Sequence, residues 1–314
     1  MIEVLLILWV ICALCMLWEQ KNSRIIIYFG VFSLFTAVCF LLMGSPDVAM
    51  AEAAISAFTA IFFIVGLEKC YKSNDKNKAE LTTKKPAFKV SSIFKWATPL
   101  VFVGFLLGLF LYFTPDISAN PYLKQLYVTM FQVDVGGENA VTAIYLGYRV
   151  FDTLFEALLL VTAVVGVKHM SWYSELGAKE GRQSEIENYK MAIFSIRIVC
   201  PLIIMFTFYL IVNGHVTTGG GFHGGLALAT FFICRYMIYN IYDISISKVL
   251  KIEELVFTIT VLLAVVAIFS GALYHVSHPI FQDIYLTMMN TLLGMKVACA
   301  FLIIFYRYIA IERR

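Results

Sequence analysis

Charge is scarce in this sequence of 314 residues. Only 14% of the residues are charged, against about 25% in a typical soluble domain, and the formal net charge is only +3. The basic residues lie between apolar segments instead of forming one patch, which argues against nucleic-acid binding. Hydrophobic residues make up 61% of the chain, and the mean hydropathy is +0.82. This composition excludes a soluble globular protein and predicts an all-α polytopic membrane protein.

The sequence also lacks the patterns of a catalytic centre. It has no phosphate-binding glycine loop and no nucleophile elbow. No Cys or His spacing is typical of a zinc, haem or iron–sulfur site. Cys12 and Cys15 have CxxC spacing, but they lie in an apolar segment and are interpreted as small packing residues. We therefore expect no catalytic residue, metal or cofactor in this chain.

Nine apolar segments are present, and most reach the length of about 20 residues that a membrane-spanning helix needs. The predicted spans are 2–18, 25–43, 48–67, 93–113, 139–168, 191–213, 222–241, 254–276 and 286–308. With nine spans, 20 of the 24 Lys and Arg residues fall in loops on one side. Because basic loops stay in the cytoplasm, we predict an outer N-terminus and a cytoplasmic C-terminus in the cell membrane.

Two polar segments divide the chain into three blocks. The linkers are predicted at 70–92 and 171–190, and the first is basic enough to contact anionic lipid headgroups. The blocks are a three-helix block at 1–69, a two-helix block at 93–170 and a four-helix block at 191–314. They do not repeat one another, so an inverted-repeat transporter is not indicated.

Three charged residues lie inside the fifth predicted span. Arg149, Asp152 and Glu156 are three and four residues apart, so a continuous helix would place them on one face. Each charge at the centre of a membrane costs roughly 2.5–3.5 kcal/mol, so these groups need partners or water. They indicate either an ion or proton path, or an internally paired cluster that holds helices together.

Further polar groups lie within or beside other predicted spans. Asp47 is predicted to cap the third helix, and Glu52 lies inside that helix as a candidate protonatable carboxyl without an obvious partner. Lys296 lies too far from either end of its span to reach water easily. It is expected to pair with a carboxylate of this chain, Glu156 being one candidate, or of a neighbouring subunit.

Glycines are concentrated between the sixth and seventh predicted spans. The segment NGHVTTGGGFHGG contains Gly219, Gly220, Gly221, Gly224 and Gly225, a density that ordinary helix does not tolerate. His215 and His223 flank the three consecutive glycines. The segment is either a tight turn that lets two helices pack, or an entry lined by water or ions in which a histidine carries a proton.

Four strings resemble subunits of Mrp-type cation/proton antiporters. TGGGFHGG resembles the PGGGFxGG signature of the B-type subunit, with Thr218 in place of proline, and TMMNTLLGMKVACAF resembles the last helix of that subunit. GSPDVAMAEAAISAF resembles a three-helix subunit, in the version found in energy-converting membrane-bound hydrogenases. GYRVFDTLFE resembles the motif DFRGxDTxxE of a two-helix subunit, with Gly147 and Val150 as departures.

The resemblance implies a natural fusion of three small membrane subunits that helps to exchange Na⁺ and H⁺. Its implied partners are other antiporter-type membrane subunits and, in hydrogenase-type complexes, nickel–iron hydrogenase-like and iron–sulfur subunits. In this interpretation Asp152 and Glu156 relay the ion beside Arg149, with Lys296 as an opposing charge. Glu52 is a second carboxyl station, and the histidines line the outer mouth. The alternatives are a stand-alone Mrp-type antiporter subunit and a structural scaffold between antiporter and redox parts.

Overall fold

The computed structural model describes residues 2–19, 21–77, 104, 108, 122–170, 190–239, 245–269 and 279–310. These residues form helices joined by turns and contain no strand, which confirms the predicted all-α class. The helices are α1 (Ile2–Trp18), α2 (Asn22–Leu42), α3 (Pro46–Asn77), α4 (Tyr122–Asp134), α5 (Ala140–Ala143), α6 (Val150–Met170), α7 (Lys190–Val212), α8 (Gly221–Tyr239), α9 (Ile246–Phe269) and α10 (Pro279–Ala310).

Six of these helices are long and apolar enough to cross a membrane: Asn22–Leu42, Pro46–Leu67, Val150–Met170, Phe194–Val212, Ile246–Phe269 and Phe281–Tyr308. Helix α1 is a shorter apolar helix, and α8, with 19 residues, is not among the six. The predicted span 93–113 lies outside the described residues except for Gly104 and Gly108, which are helical. The count of nine spans and the orientation of the chain therefore stay predictions.

Several helix boundaries differ from the sequence-based ones. Helix α3 continues to Asn77, so the predicted linker at 70–92 is helical in its first part. Helix α9 begins at Ile246, eight residues earlier than expected, because its polar first turns hid the start of the apolar pattern. Helix α4 was missed because it is only 13 residues long and amphipathic.

The span predicted at 139–168 is not one continuous helix. A π-helical turn at Ile144–Tyr148 separates α5 from α6, and Arg149 lies at the junction with φ −119°. The turn frees backbone carbonyls, and two hydroxyls satisfy them: Thr153 Oγ1 donates to Tyr145 O at 2.5 Å, and Tyr285 Oη donates to Leu146 O at 3.0 Å. Such inserted turns interrupt a helix without leaving unpaired polar groups in the membrane.

Helix α10 is the centre of the described structure. About 61% of its membrane-spanning segment is buried inside the protein, whereas the other five candidate spans are 17–28% buried. It packs against α3, α6, α7, α8 and α9. Segments of all three predicted blocks therefore meet on one helix, which explains how a lysine in its middle can be shielded from lipid.

Candidate functional site

A cavity of about 360 Å³ lies where the three predicted blocks meet. Its polar wall comes from the π-helical turn, α6, α8 and α10 and consists of Tyr145, Thr153, Glu156, His223 and Lys296. Its apolar wall consists of Ala51, Ile55, Ala157, Leu160, Phe222, Leu293 and Val297. Three of the predicted path residues, from two different blocks, are thus brought to one space.

Glu156, on α6, is the carboxylate among the lining residues, and it is also exposed at the surface of the described structure. On the same wall, the buried Nδ1 of His223 has no hydrogen-bond partner among the described residues. A glutamate and a histidine therefore both line a space in which a cation or a proton-carrying water could bind.

Lys296 is paired inside the protein, and its partner is Glu253 of α9. Both side chains are almost fully buried, with 1% and 2% of their surfaces exposed. The Nζ atom also lies 5.4 Å from the centroid of the Phe257 ring, within the range of a cation–π contact. The prediction that Lys296 pairs with a carboxylate is therefore confirmed, but the partner is Glu253 of this chain and not the candidate Glu156. Glu156 and Lys296 nevertheless line the same cavity.

Glu253 is the residue that sequence reasoning missed. The predicted span 254–276 begins one residue after Glu253, so Glu253 does not stand out as a charge inside a span. The spacing of Val249, Glu253, Val256 and Thr260 nevertheless places it on the apolar face that α9 buries. If the predicted helix had begun a few residues earlier, this pattern would have identified Glu253 as a buried charge.

The other two charges predicted in this span, Arg149 and Asp152, lie away from the cavity. Arg149 Nη2 and Asp152 Oδ2 form an ion pair at 2.5 Å, and their side chains are 62% and 58% exposed. Neither lines the cavity. Asp152 and Glu156, which were predicted to act together as a relay, therefore lie in different places. Asp152 belongs to an exposed ion pair with Arg149, and only Glu156 lines the cavity.

Glu52 also has a partner that the sequence did not reveal. Its carboxylate accepts a hydrogen bond from Ser33 Oγ of α2, and Ser33 is buried. The cavity is lined instead by its neighbours Ala51 and Ile55, on the adjacent face of α3. Glu52 therefore connects α2 to α3, away from the cavity wall.

The prediction that Asp47 caps its own helix is wrong. Helix α3 begins at Pro46, so Asp47 lies within its first turn. Its buried carboxylate accepts hydrogen bonds from Asn139 Nδ2 at 3.3 Å and from the Gly219 N–H at 3.2 Å. Asn139 Nδ2 also donates to Thr217 O at 2.9 Å. Asp47 consequently ties the first block to the other two beside the glycine turn.

The glycines of the turn allow close contacts between chain segments in the described structure. Gly220 has φ +124°, and a Cβ there would overlap Tyr145 Oη. The Gly221 N–H donates to Asn290 Oδ1 at 3.1 Å, and Tyr145 Oη donates to the same oxygen at 2.9 Å. A Cβ at Gly225 would overlap the Gly294 carbonyl.

The other two glycines of the turn also allow close packing, and His215 lies apart from the cavity. A Cβ at Gly224 would overlap Ile211, whereas one at Gly219 would meet the Leu210 carbonyl at 3.1 Å. His215 lies within 3.5 Å of Thr287 Oγ1 and is not among the cavity-lining residues. Of the two histidines, only His223 reaches the cavity. No three His, Cys, Asp or Glu side chains of the described residues come together as a metal site.

Two family models match segments of the chain. Residues 191–312 match the domain related to the MnhB subunit of Na⁺/H⁺ antiporter, and residues 7–72 match the MbhD subunit of MBH. Among curated relatives, the antiporter subunit mnhA2 of Staphylococcus epidermidis is 24% identical over 58% of this chain, and that of Staphylococcus aureus strain MRSA252 is 27% identical over 57%. The chain spans only about a fifth of their length, 22% and 21%.

Two solved structures share the fold. A chain of the Mrp complex from Dietzia sp. DQ12-45-1b superposes with a TM-score of 0.74 at 17% identity, over 99% of this chain and 35% of that one. A chain of the membrane-bound sulfane sulfur reductase, an archaeal respiratory membrane complex, superposes with a TM-score of 0.54 at 24% identity, over 69% of this chain and 97% of that one. Two segments of this chain thus resemble the MnhB-related and MbhD families, and together the matches are consistent with fused subunits of the Mrp type.

Proposed function

We propose that this protein is a membrane subunit of a multisubunit Na⁺/H⁺ antiporter module and contributes one station of its cation and proton path. The observation that carries the proposal is the convergence of Glu156, His223 and Lys296 on one cavity between the three blocks. Chain segments far apart in sequence supply these groups. Isolated charges within the membrane are costly, so their convergence on one space favours a functional site.

The cavity has the size and the wall that such a station needs. A volume of 360 Å³ is well above the roughly 30 Å³ that one water occupies in the liquid, so the cavity has room for water beside its polar wall. Glu156 is exposed and also lines the cavity, so its carboxylate can bind a cation or a proton arriving from outside the chain. His223 offers a second proton site, and Lys296 supplies an opposing charge that limits how long a cation stays.

The test compares Glu156→Gln with Asp152→Asn in the complex purified through a tag on this chain and reconstituted in liposomes. Both variants remove an exposed carboxylate of α6, but only Glu156 lines the cavity. We expect Glu156→Gln to abolish Na⁺-driven proton movement per assembled complex, and Asp152→Asn to change it much less. Normal transport by Glu156→Gln would refute the proposal.

A scaffold role makes the opposite prediction for the same variants. If the chain only joins other subunits, Glu156→Gln would leave transport per assembled complex normal and would lower the amount of complex recovered. Measuring the two quantities separately therefore distinguishes the path from the scaffold.

A redox-linked complex is the second candidate, on the ground that residues 7–72 match the MbhD family. The related fold in a respiratory membrane complex supports the same assignment. In that case the module is the sodium-translocating arm of a ferredoxin-linked complex with nickel–iron hydrogenase-like and iron–sulfur subunits. Mass spectrometry of the gently purified complex tests this, because antiporter-type subunits alone would identify a stand-alone Mrp-type exchanger.

A further inference from the structure

The pair formed by Lys296 and Glu253 has an unusual position. Both side chains are buried, yet Lys296 also forms part of the cavity wall, whereas Glu253 is not among the lining residues. Lys296 therefore pairs with a carboxylate outside the wall and at the same time forms part of the wall of the space that Glu156 lines. A pair kept only for stability would not need one member at a cavity.

We propose that Lys296 exchanges partners between Glu253 and Glu156, and that Glu253 is the positioning residue that draws the ammonium group away from the cavity. When Glu156 binds a cation, Lys296 pairs with Glu253. When the cation leaves, the free carboxylate attracts the ammonium group across the cavity. This inference rests on the proposed cation path and adds to it the residue that controls release.

The side chains around the cavity suit such an exchange. Lysine carries a compact charge on a flexible four-carbon stem, so its Nζ atom can move while its backbone stays fixed in α10. The Phe257 ring, 5.4 Å from Nζ, offers a cation–π surface beside the pair. Apolar side chains from α3 and α8 complete the wall around these charges.

The titratable groups that face Lys296 or its cavity are few among the described residues. They are Glu253 from α9, Glu156 from α6, Tyr145 from the π-helical turn, His223 from α8, and Cys299 from α10 itself. Helix α3 contributes only Ala51 and Ile55, because Glu52 contacts Ser33. Glu253 and Glu156 are therefore the two carboxylates between which Lys296 can alternate.

The exchange predicts shifts of opposite sign in two single variants. In Glu253→Gln, Lys296 loses the partner that draws it away from the cavity. It then competes permanently with Na⁺ for the Glu156 carboxylate, so the half-saturating Na⁺ concentration rises. In Lys296→Met, Glu156 has no competing ammonium group, so that concentration falls. We expect each shift to be about tenfold, the change that about 1.4 kcal/mol produces.

The experiment measures Na⁺-driven proton movement with a pH-sensitive dye in liposomes that contain the purified complex, normalised to assembled complex. Glu254→Gln is the matched control, because Glu254 is the exposed neighbour of Glu253 on the same helix. Its half-saturating concentration should equal that of the wild type. Shifts of the same sign in the two test variants, or no difference between Glu253→Gln and Glu254→Gln, would overturn the exchange.

A charge swap and a shortened carboxylate complete the test. Glu253→Lys combined with Lys296→Glu keeps a buried pair but places a second carboxylate on the cavity wall, so we expect assembly without normal transport. Normal transport by the swapped pair refutes the exchange. If any of these variants does not assemble, Glu253→Asp keeps the charge and should shift the Na⁺ dependence in the direction of Glu253→Gln, and an unchanged value refutes it.

Failure of the exchange can be distinguished from failure of the proposed path. If Glu156→Gln transports normally, the path itself is wrong. If Glu156→Gln is inactive while Glu253→Gln and Lys296→Met behave like the control, only the exchange is wrong.

Discussion

Gly225→Ala should destabilise the protein because it forces α8 away from α10. A Cβ at this position would overlap the Gly294 carbonyl and would lie 2.8 Å from Val297 Cβ. Carbon atoms in contact normally lie about 3.5–4.0 Å apart, so the two helices must separate by roughly 1 Å. Because backbone atoms and a Cβ form the obstacle, no rotation of a flexible side chain can relieve the overlap.

The expected magnitude follows from a comparison with Gly166→Ala. Gly166 lies in α6, and a Cβ there would meet nothing within 4 Å. Alanine improves helix propensity by about 0.8–1.0 kcal/mol at both positions. The difference between the two variants is therefore the overpacking penalty alone, which is about 1–3 kcal/mol. We expect the upper part of that range.

The assay is the midpoint of thermal unfolding of the purified complex, followed by intrinsic fluorescence, together with the amount of complex recovered. Gly166→Ala should be as stable as the wild type or more so, and Gly225→Ala should unfold at a lower temperature. Separation of α8 from α10 should also slow transport, since these helices carry His223 and Lys296. If the two variants were equally stable, the close contact between α8 and α10 would not be the reason that position 225 requires glycine.

Three further outcomes are expected. Asp47→Ala should cost about 1–3 kcal/mol, because it leaves the buried Gly219 N–H of the glycine turn without an acceptor, as thermal unfolding of the complex would show. Lys296→Met should cost about 3–5 kcal/mol by leaving Glu253 buried and unpaired, whereas adding Glu253→Leu should restore most of the stability; failure to restore it contradicts this account. Thr153→Val should cost about 0.5–1.5 kcal/mol by removing the hydroxyl that donates to the Tyr145 carbonyl, and an unchanged midpoint would refute that role.

The sequence by itself determined the class of protein and the identity of most chemically important residues. Long apolar segments separated by basic loops predict a helical membrane protein because each backbone polar group must be satisfied inside its own helix. An ionisable residue inside such a segment is conspicuous for the same reason, so Glu156 and Lys296 could be selected without a structure. The consecutive glycines likewise predict a close approach between two segments of the backbone, although they do not identify the second segment.

Only the tertiary structure decided which of these residues meet. Arg149, Asp152 and Glu156 share a helical pattern, but the packing of α6 leaves the first two outward and places the third at the cavity. Lys296 pairs with Glu253 because α9 crosses α10 at that point, a relation between helices that spacing within one helix does not contain. Periodicity is a local property of the chain, whereas the cavity arises from contacts between distant segments around α10.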